Sequence, residues 1–478
     1  MNKKYVFVDW NDIDPGYGID KPGYEPQDAA PYGVEIVAHA PKVDLNPLVI
    51  GDTSWETSRA GMYATIIKIG DEYRMWYDGI GPRIKLCYAT SKDGVHWEKP
   101  NLGLNSFQGS TDNNIIFNNA VGGIIDEGWV VLYEEDAPED ERFKMVFTRV
   151  SLNGDSVDSV WIMGALSSDG LHWRETGRIF EGGDTQSTLV YNEIRKKYQI
   201  FTKARDTEHA HRRTMMMLET EDFKTCSEPH YIMNGSPNDA PDTDCYTPAY
   251  HRWKGTDNAH IMFPSIFHRT QDYIELKLAV SRDLVTWNMA GNGKTMVGIE
   301  QTGRRTHYAD VGMTEDGEGH WVHYFAMGKQ GHHTASLGGD PLTGIYRMIF
   351  REDGYTSLHA ESHGSVTTIV LPHSNGMKIN ADIGYKGYVK IAVTDRVSNE
   401  PLEGFGFDDC TLEPIDNVSY RLKWKKELSE IPPEQEYRLK FDLFRADVYS
   451  YTLEDVVSYE KDGDNTPYIV GADKESLK

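Results

Sequence analysis

The chain is poor in positive charge, cysteine and long apolar runs, and each shortage removes a class of function. Against 74 acidic side chains there are 49 lysines and arginines, leaving a net charge of −25. A field of that sign repels phosphate backbones and anionic lipid, so nucleic-acid and membrane partners are not expected. The four cysteines, Cys87, Cys226, Cys245 and Cys410, show no CxxC or CxH spacing, so neither a disulfide framework nor a zinc site is expected. No apolar run approaches the ~18 residues of a membrane span. Met1–Asp9 is too short and too polar for the core of a secretory signal. The chain therefore reads as soluble, either cytoplasmic or secreted with a signal already removed. Long amphipathic helical patterns are missing from 51–361, and GxSxG, a phosphate-cradling glycine loop and HExxH are missing throughout.

What is present is a repeat. Ser91-Lys92-Asp93-Gly94-Val95-His96-Trp97 returns as Ser167-Ser168-Asp169-Gly170-Leu171-His172-Trp173, and again as Ser281-Arg282-Asp283-Leu284-Val285-Thr286-Trp287. A worn copy stands at Glu219–Cys226 and a partial one at Arg351-Glu352-Asp353-Gly354-Tyr355. Asp-Gly is a tight-turn pair, and the tryptophan can fold back over the turn. Copies follow strand-like runs at intervals of about 50 to 75 residues, the spacing of propeller blades.

The expected fold class is therefore all-β: a five-bladed β-propeller followed by a C-terminal β-sandwich. Residues 1–50 read as a lead-in wrapping the propeller, 51–361 as five blades, 362–458 as a sandwich and 459–478 as a polar tail. Blade four is expected as Tyr246–His251, His260–Phe267 and Glu275–Val280.

Inner strands of a propeller converge on a channel, so polar residues at their starts are the site candidates. These are Trp55, Glu56, Arg59 and Tyr63, then Asp126 and Glu127, then Asp184 and Gln186. Asp242, Asp244 and Tyr246 follow, and then His307, Tyr308 and Asp310. Acids at matching places in consecutive blades drive one another's protonation apart, as glycoside hydrolysis requires. The other reading is that they cap strand ends or hold a structural channel cation such as calcium; no cofactor is called for. Glu208-His209-Ala210-His211 and His332-His333 read as solvated loops, and Glu134–Glu141 as a solvated acidic turn.

The Asp-Gly-x-His-Trp boxes and Tyr73-Arg74-Met75-Trp76-Tyr77, together with the trailing strands, resemble the invertase, fructanase and arabinanase-type five-bladed propeller glycosidases. The likeness runs over about 40–455 and is nearest the invertase-like branch. It implies a nucleophile or base on the first blade, a transition-state stabiliser on the second and a general acid on the third. Asp126 or Glu127 matches the stabiliser, and Asp184 stands in the general-acid place. The family's first-blade Asn-Asp-Pro is absent; Trp55-Glu56 and Arg59 occupy that neighbourhood.

The expectation is a glycoside hydrolase acting on a furanoside or related bond of an oligo- or polysaccharide. Asp184 is the acid/base, and Asp244 or Glu127 the nucleophile or water-activating base. Trp55, Glu56, Arg59, Asp126, Gln186, Asp242, Tyr246, His307 and Asp310 contact substrate. The alternatives are a carbohydrate-binding propeller without catalysis and a sialidase-like enzyme. The latter needs a tyrosine nucleophile and an arginine cluster, for which Arg59, Arg304 and Arg305 are available.

Overall fold

Each Asp-Gly box closes a strand pair by the same local bonds. Asp93 Oδ1 accepts the N–H groups of Val95 and His96, both at 2.8 Å, and Asp169 Oδ1 does the same for Leu171 and His172. Trp97 and Trp173 fold back, donating their indole N–H to the carbonyls of Gly94 (3.2 Å) and Gly170 (3.0 Å). Both glycines have positive φ and lie against an aromatic of another sheet. A β-carbon on Gly94 would come within 2.7 Å of Tyr324 Oη, and one on Gly170 within 2.7 Å of Trp76. The fifth copy differs, since Asp353 takes side-chain partners, Lys4 (3.0 Å) and Ser450 (2.7 Å).

The computed structural model describes residues 1–16, 30–57, 59–118, 123–154, 156–206, 212–234, 239–333, 340 and 342–456, apart from the side chains of Arg59, Arg205 and Asp206. His209, His211 and the 459–478 tail fall outside them. Among the described residues the fold is almost entirely β-strand, with four small antiparallel sheets of three or four strands and two larger sheets of seven and nine. No helix among the described residues is long and apolar enough to cross a membrane.

Two units are distinguished. The larger comprises 40–253 and 258–352. Within it, Arg59–Ile69, Glu72–Ile80, Ile84–Ser91 and Trp97–Glu98 form a first meander. Ile124–Tyr133, Phe143–Asn153, Ser156–Ser167 and Arg174–Glu181 form a second. Thr188–Asn192, Lys197–Asp206, Arg212–Thr220 and His230–Met233 form a third. The fourth is split across two sheets, Thr243–Thr247 with Ser265–His268, and Tyr250–Arg252 with His260–Met262. Pro248 and Pro264 stand at the breaks, and proline has no N–H for the ladder, so the continuous blade-four strands expected from sequence do not form. The last meander is Thr306–Glu315, His320–Gly328 and Gly344–Arg351.

First strands touch in a closed order. Arg59–Ile69 meets Ile124–Tyr133, which meets Thr188–Asn192, then Tyr250–Arg252, then Thr306–Glu315, and the last returns to Arg59–Ile69 through the parallel pair Val311 and Thr65.

The smaller unit comprises 1–39, 254–257 and 353–478. It holds one seven-stranded sheet built on Thr356–Thr367, Tyr437–Glu454 and Gly376–Asp395, with bulges between Ala360 and His363 and between Ile383 and Tyr388. Leu358, Ile379, Ile391, Phe441, Val448 and Leu453 belong to its buried core.

The 1–50 wrap is corrected by these pairings. Lys3–Val6 and Glu35–Ala38 are strands of the seven-stranded sheet, and Lys42–Ile50 is the outer strand on Gly344–Arg351. Their apolar alternation is short, and the partners that order them lie over 300 residues away. The 361/362 boundary likewise falls inside the strand Thr356–Thr367.

Candidate active site

Asp184 and Asp244, from two meanders, each hold a cation against the Tyr246 ring. Asp184 lies in the glycine-rich connection leading into Thr188–Asn192. Its Oδ2 is 2.8 Å from the Lys203 ammonium, and its Oδ1 accepts the Thr185 N–H at 2.8 Å. Lys203 is only 1 % exposed while Asp184 keeps 34 %, so the pair is anchored in the protein and open at its carboxylate end. The lysine nitrogen lies 3.6 Å from the centroid of the Tyr246 ring. Burial lowers the Lys203 pKa, opposed chiefly by Asp184 and in smaller part by Glu127.

Asp244 is fully buried and held by two arginines. Arg213 reaches it with Nη1 (2.8 Å) and its backbone N–H (3.1 Å), and Arg269 Nη2 stands 3.4 Å away. The Arg213 guanidinium is 5.2 Å from the same Tyr246 ring.

Glu127 is half-buried near the start of Ile124–Tyr133. Its charge acts on Lys203 and on Tyr63. Burial, then the neighbouring Tyr246, Tyr308 and Glu127, push the Tyr63 hydroxyl well above its usual range. Tyr63 meets Tyr308 edge to face at 5.6 Å, and Tyr308 Oη lies 2.7 Å from His332 Nδ1. His332 is brought down to about 4 by burial, helped by the charges of His333, Lys203 and Arg213. His332 is thus a wall of this cluster, contrary to the solvated loop expected.

Gln186 is completely buried, and neither its Oε1 nor its Nε2 has a hydrogen-bond partner among the described residues. Such an amide normally has one.

The remaining candidates are occupied elsewhere. Glu56 is buried and takes Tyr77 Oη (2.6 Å), Thr53 Oγ1 (2.8 Å) and Lys99 Nζ (2.6 Å). Trp55 donates to Asn114 at 2.9 Å. Asp126 forms a two-point pair with Arg149 (2.7 and 2.8 Å), which also holds Glu175. Asp242 accepts the Thr270 N–H (2.9 Å) on an outer turn, and Thr270 holds its carboxyl below the usual range.

His307 is buried with both nitrogens engaged, by the Ile274 carbonyl (2.6 Å) and Thr302 Oγ1 (2.7 Å). Burial brings it down to about 4, which keeps it neutral. Asp310 is buried, accepts the Ala64 N–H at 2.8 Å and is pushed well above the carboxylate range by desolvation. Glu56, Trp55, Asp242 and His307 thus each have partners within the protein. The side chain of Arg59 lies outside the described residues. Arg304 pairs with Asp340 and Arg305 with the Gln271 carbonyl, so the cations of the cluster are Lys203, Arg213 and Arg269 instead.

Sequence reasoning missed Lys203 and Arg213. The available signal was a charge at the end of the core strand Tyr198-Gln199-Ile200-Phe201-Thr202-Lys203, where burial requires a partner.

Among the described residues one trio could hold a metal ion: Asp316, Glu318 and His320, with ligand atoms within 4.8 Å of one another. Asp316 already takes the Glu318 N–H (2.8 Å) and contacts His320 Nδ1 (2.7 Å). At a rise of ~3.3 Å per residue, this turn stands roughly 26 Å along the chain from Tyr308.

No protein-family model and no curated protein matches the chain. Among solved structures, it is similar to a xylan β-1,4-xylosidase from Bacillus halodurans C-125, at 11% identity over 86% of this chain and 99% of that chain, with a TM-score of 0.44. It is also similar to an α-L-arabinofuranosidase from Lactobacillus brevis, at 12% identity over 65% and 94%, TM-score 0.45. A third is an N-acetylgalactosamine deacetylase from F. plautii, at 14% identity over 68% and 95%, TM-score 0.45.

Proposed function

We propose that this chain is a glycoside hydrolase whose acids are carried by a five-bladed β-propeller, with the bent seven-stranded sheet as its sandwich companion. The closed order of first-strand contacts supports the propeller. So does the docking of each turn on the preceding meander: Tyr324 donates to the Gly94 carbonyl (3.0 Å), Trp76 to Gly170 (2.7 Å), Thr176 to Phe223 (2.6 Å) and Asn192 to Asp283 (3.4 Å).

The observation that carries the reading is the Asp184–Lys203 pair, fixed on its inner side and open on its outer side, within the field of Glu127. A lysine ammonium at 2.8 Å favours the carboxylate form. Asp184 is therefore assigned as the nucleophile or water-activating base rather than the proton donor that its family position implies. Glu127 is left as the proton donor to the leaving oxygen. Asp244, enclosed by two arginines, fixes Arg213 against Tyr246 and touches no substrate. Gln186 supplies a buried amide for a substrate hydroxyl, and the Tyr246 ring fixes the Lys203 ammonium beside Asp184. The substrate class is a furanoside or a related non-reducing-end sugar.

Asp184→Asn is expected to lower turnover at least ~10³-fold, with some loss of thermal stability because the buried Lys203 ammonium loses its counter-charge. The check is product analysis over a glycoside panel, and full activity in the variant overturns the assignment. The ion pairing of both Asp184 and Asp244 favours a second reading, carbohydrate binding without cleavage. Calorimetric binding with no product from the unaltered chain would select it.

A further inference from the structure

A cleft of about 580 Å³ opens beside Asp184 and Lys203, which form part of its wall. Its other sides come from the second and third meanders, chiefly Val157, Val160, Phe180, Met216 and Tyr231. Apart from Glu181, Asp184, Lys203 and the Tyr231 hydroxyl, the side chains lining it are apolar. Val157 is 62 % exposed and Tyr231 54 % exposed, so apolar surface faces outward next to the charged pair.

We propose that this cleft binds an apolar, aromatic leaving group, so that the substrate is an aryl glycoside with its scissile bond at Asp184 and its aglycone here. The assignment rests on the hydrolase reading for the location of the scissile bond. The walls themselves supply the rest. A second sugar unit would place several hydroxyls against valine, phenylalanine and methionine, which return no hydrogen bonds, and each unpaired hydroxyl costs affinity. A flat apolar ring loses nothing there and removes its own surface, and that of Phe180 and Val157, from water. The volume lies within the range of small-molecule sites, and continuity with the Asp184 carboxylate places the ring next to the bond being cleaved.

The test uses matched methyl and 4-nitrophenyl glycosides of arabinofuranose, xylose and galactose. Binding is measured by calorimetry on the Asp184→Asn chain and turnover on the unaltered one. The aryl member of at least one pair is expected to bind about tenfold or more tightly than its methyl partner. Val157→Asp and Tyr231→Ser, both at exposed positions that folding tolerates, should reduce that advantage below about threefold. Equal affinities within every pair, no binding of any aryl glycoside, or an advantage unchanged in both variants would overturn the proposal. An aryl advantage without turnover of any compound would support the cleft and sink the hydrolase reading. Turnover without the advantage would do the reverse.

Discussion

Asp169 and Asp244 carry the same side chain, and the protein satisfies them in opposite ways. Asp169 finds its partners within three residues, in the N–H groups of Leu171 and His172 and the imidazole of His172 at 2.7 Å. Asp244 finds none nearby in sequence; Arg213 lies 31 residues before it and Arg269 in the turn that follows the strand Ser265–His268. Local partners make a turn that any surface position could use. Distant partners require the sheets to be assembled first, and only then do they make a buried ion pair that can orient other groups. The lesson is that an acid's role follows from where its counter-charge comes from.

The sharpest way to break this contrast is to remove a distant partner. Arg213→Met leaves the fully buried Asp244 carboxylate with Arg269 at 3.4 Å as its one cation, beside the backbone N–H of residue 213, and should cost about 3–5 kcal/mol. Urea unfolding measures it, and a loss below about 1 kcal/mol would mean that the pair is not desolvated as described. Adding Asp244→Asn to that variant should recover part of the loss, because the stranded charge disappears.

Lys203→Met tests the same idea at the site. It should reduce turnover about 10- to 100-fold and move the acid limb of the pH–activity profile to higher pH, since the ammonium that favours the Asp184 carboxylate is gone. Lys203→Arg, which keeps the charge, should leave that limb near its original position. A profile unmoved in Lys203→Met would reduce Lys203 to packing.

The local partner should matter least. Asp169→Ala is expected to cost about 1 kcal/mol, and Asp169→Asn less, because asparagine keeps the oxygen that accepts both N–H groups. Burial raises the Asp169 pKa, but the His172 backbone and side chain with the Leu171 N–H outweigh it and bring the group down to about 2. Its stabilisation is therefore complete above the unfolded value near ~4 and is lost as pH falls through about 2. Thermal melts across that window should show the wild type losing an advantage over Asp169→Ala, an advantage kept small by solvent exposure.

Much of the β architecture was legible because its signals are local. Asp93-Gly94 and Asp169-Gly170 specify turns through bonds that span three residues, and Tyr73–Tyr77 alternates as a half-buried strand does. Strand order was harder. Lys3–Val6 pairs with Tyr451 and its neighbours, and nothing in a four-residue run identifies a partner that far along the chain. At the site, position at strand starts singled out Asp184, Glu127, Asp244 and Tyr246 as candidates. The partners of Glu56 and His307, namely Tyr77, Lys99, Ile274 and Thr302, become visible only after packing.

By itself, then, the amino-acid order determined the all-β character and the repeating turns, since each depends on short-range backbone preferences and side-chain periodicity. Only the tertiary structure decided that Lys203 holds Asp184, that two arginines enclose Asp244 and that an apolar cleft adjoins the pair. Those facts depend on distances between meanders, which no local pattern encodes.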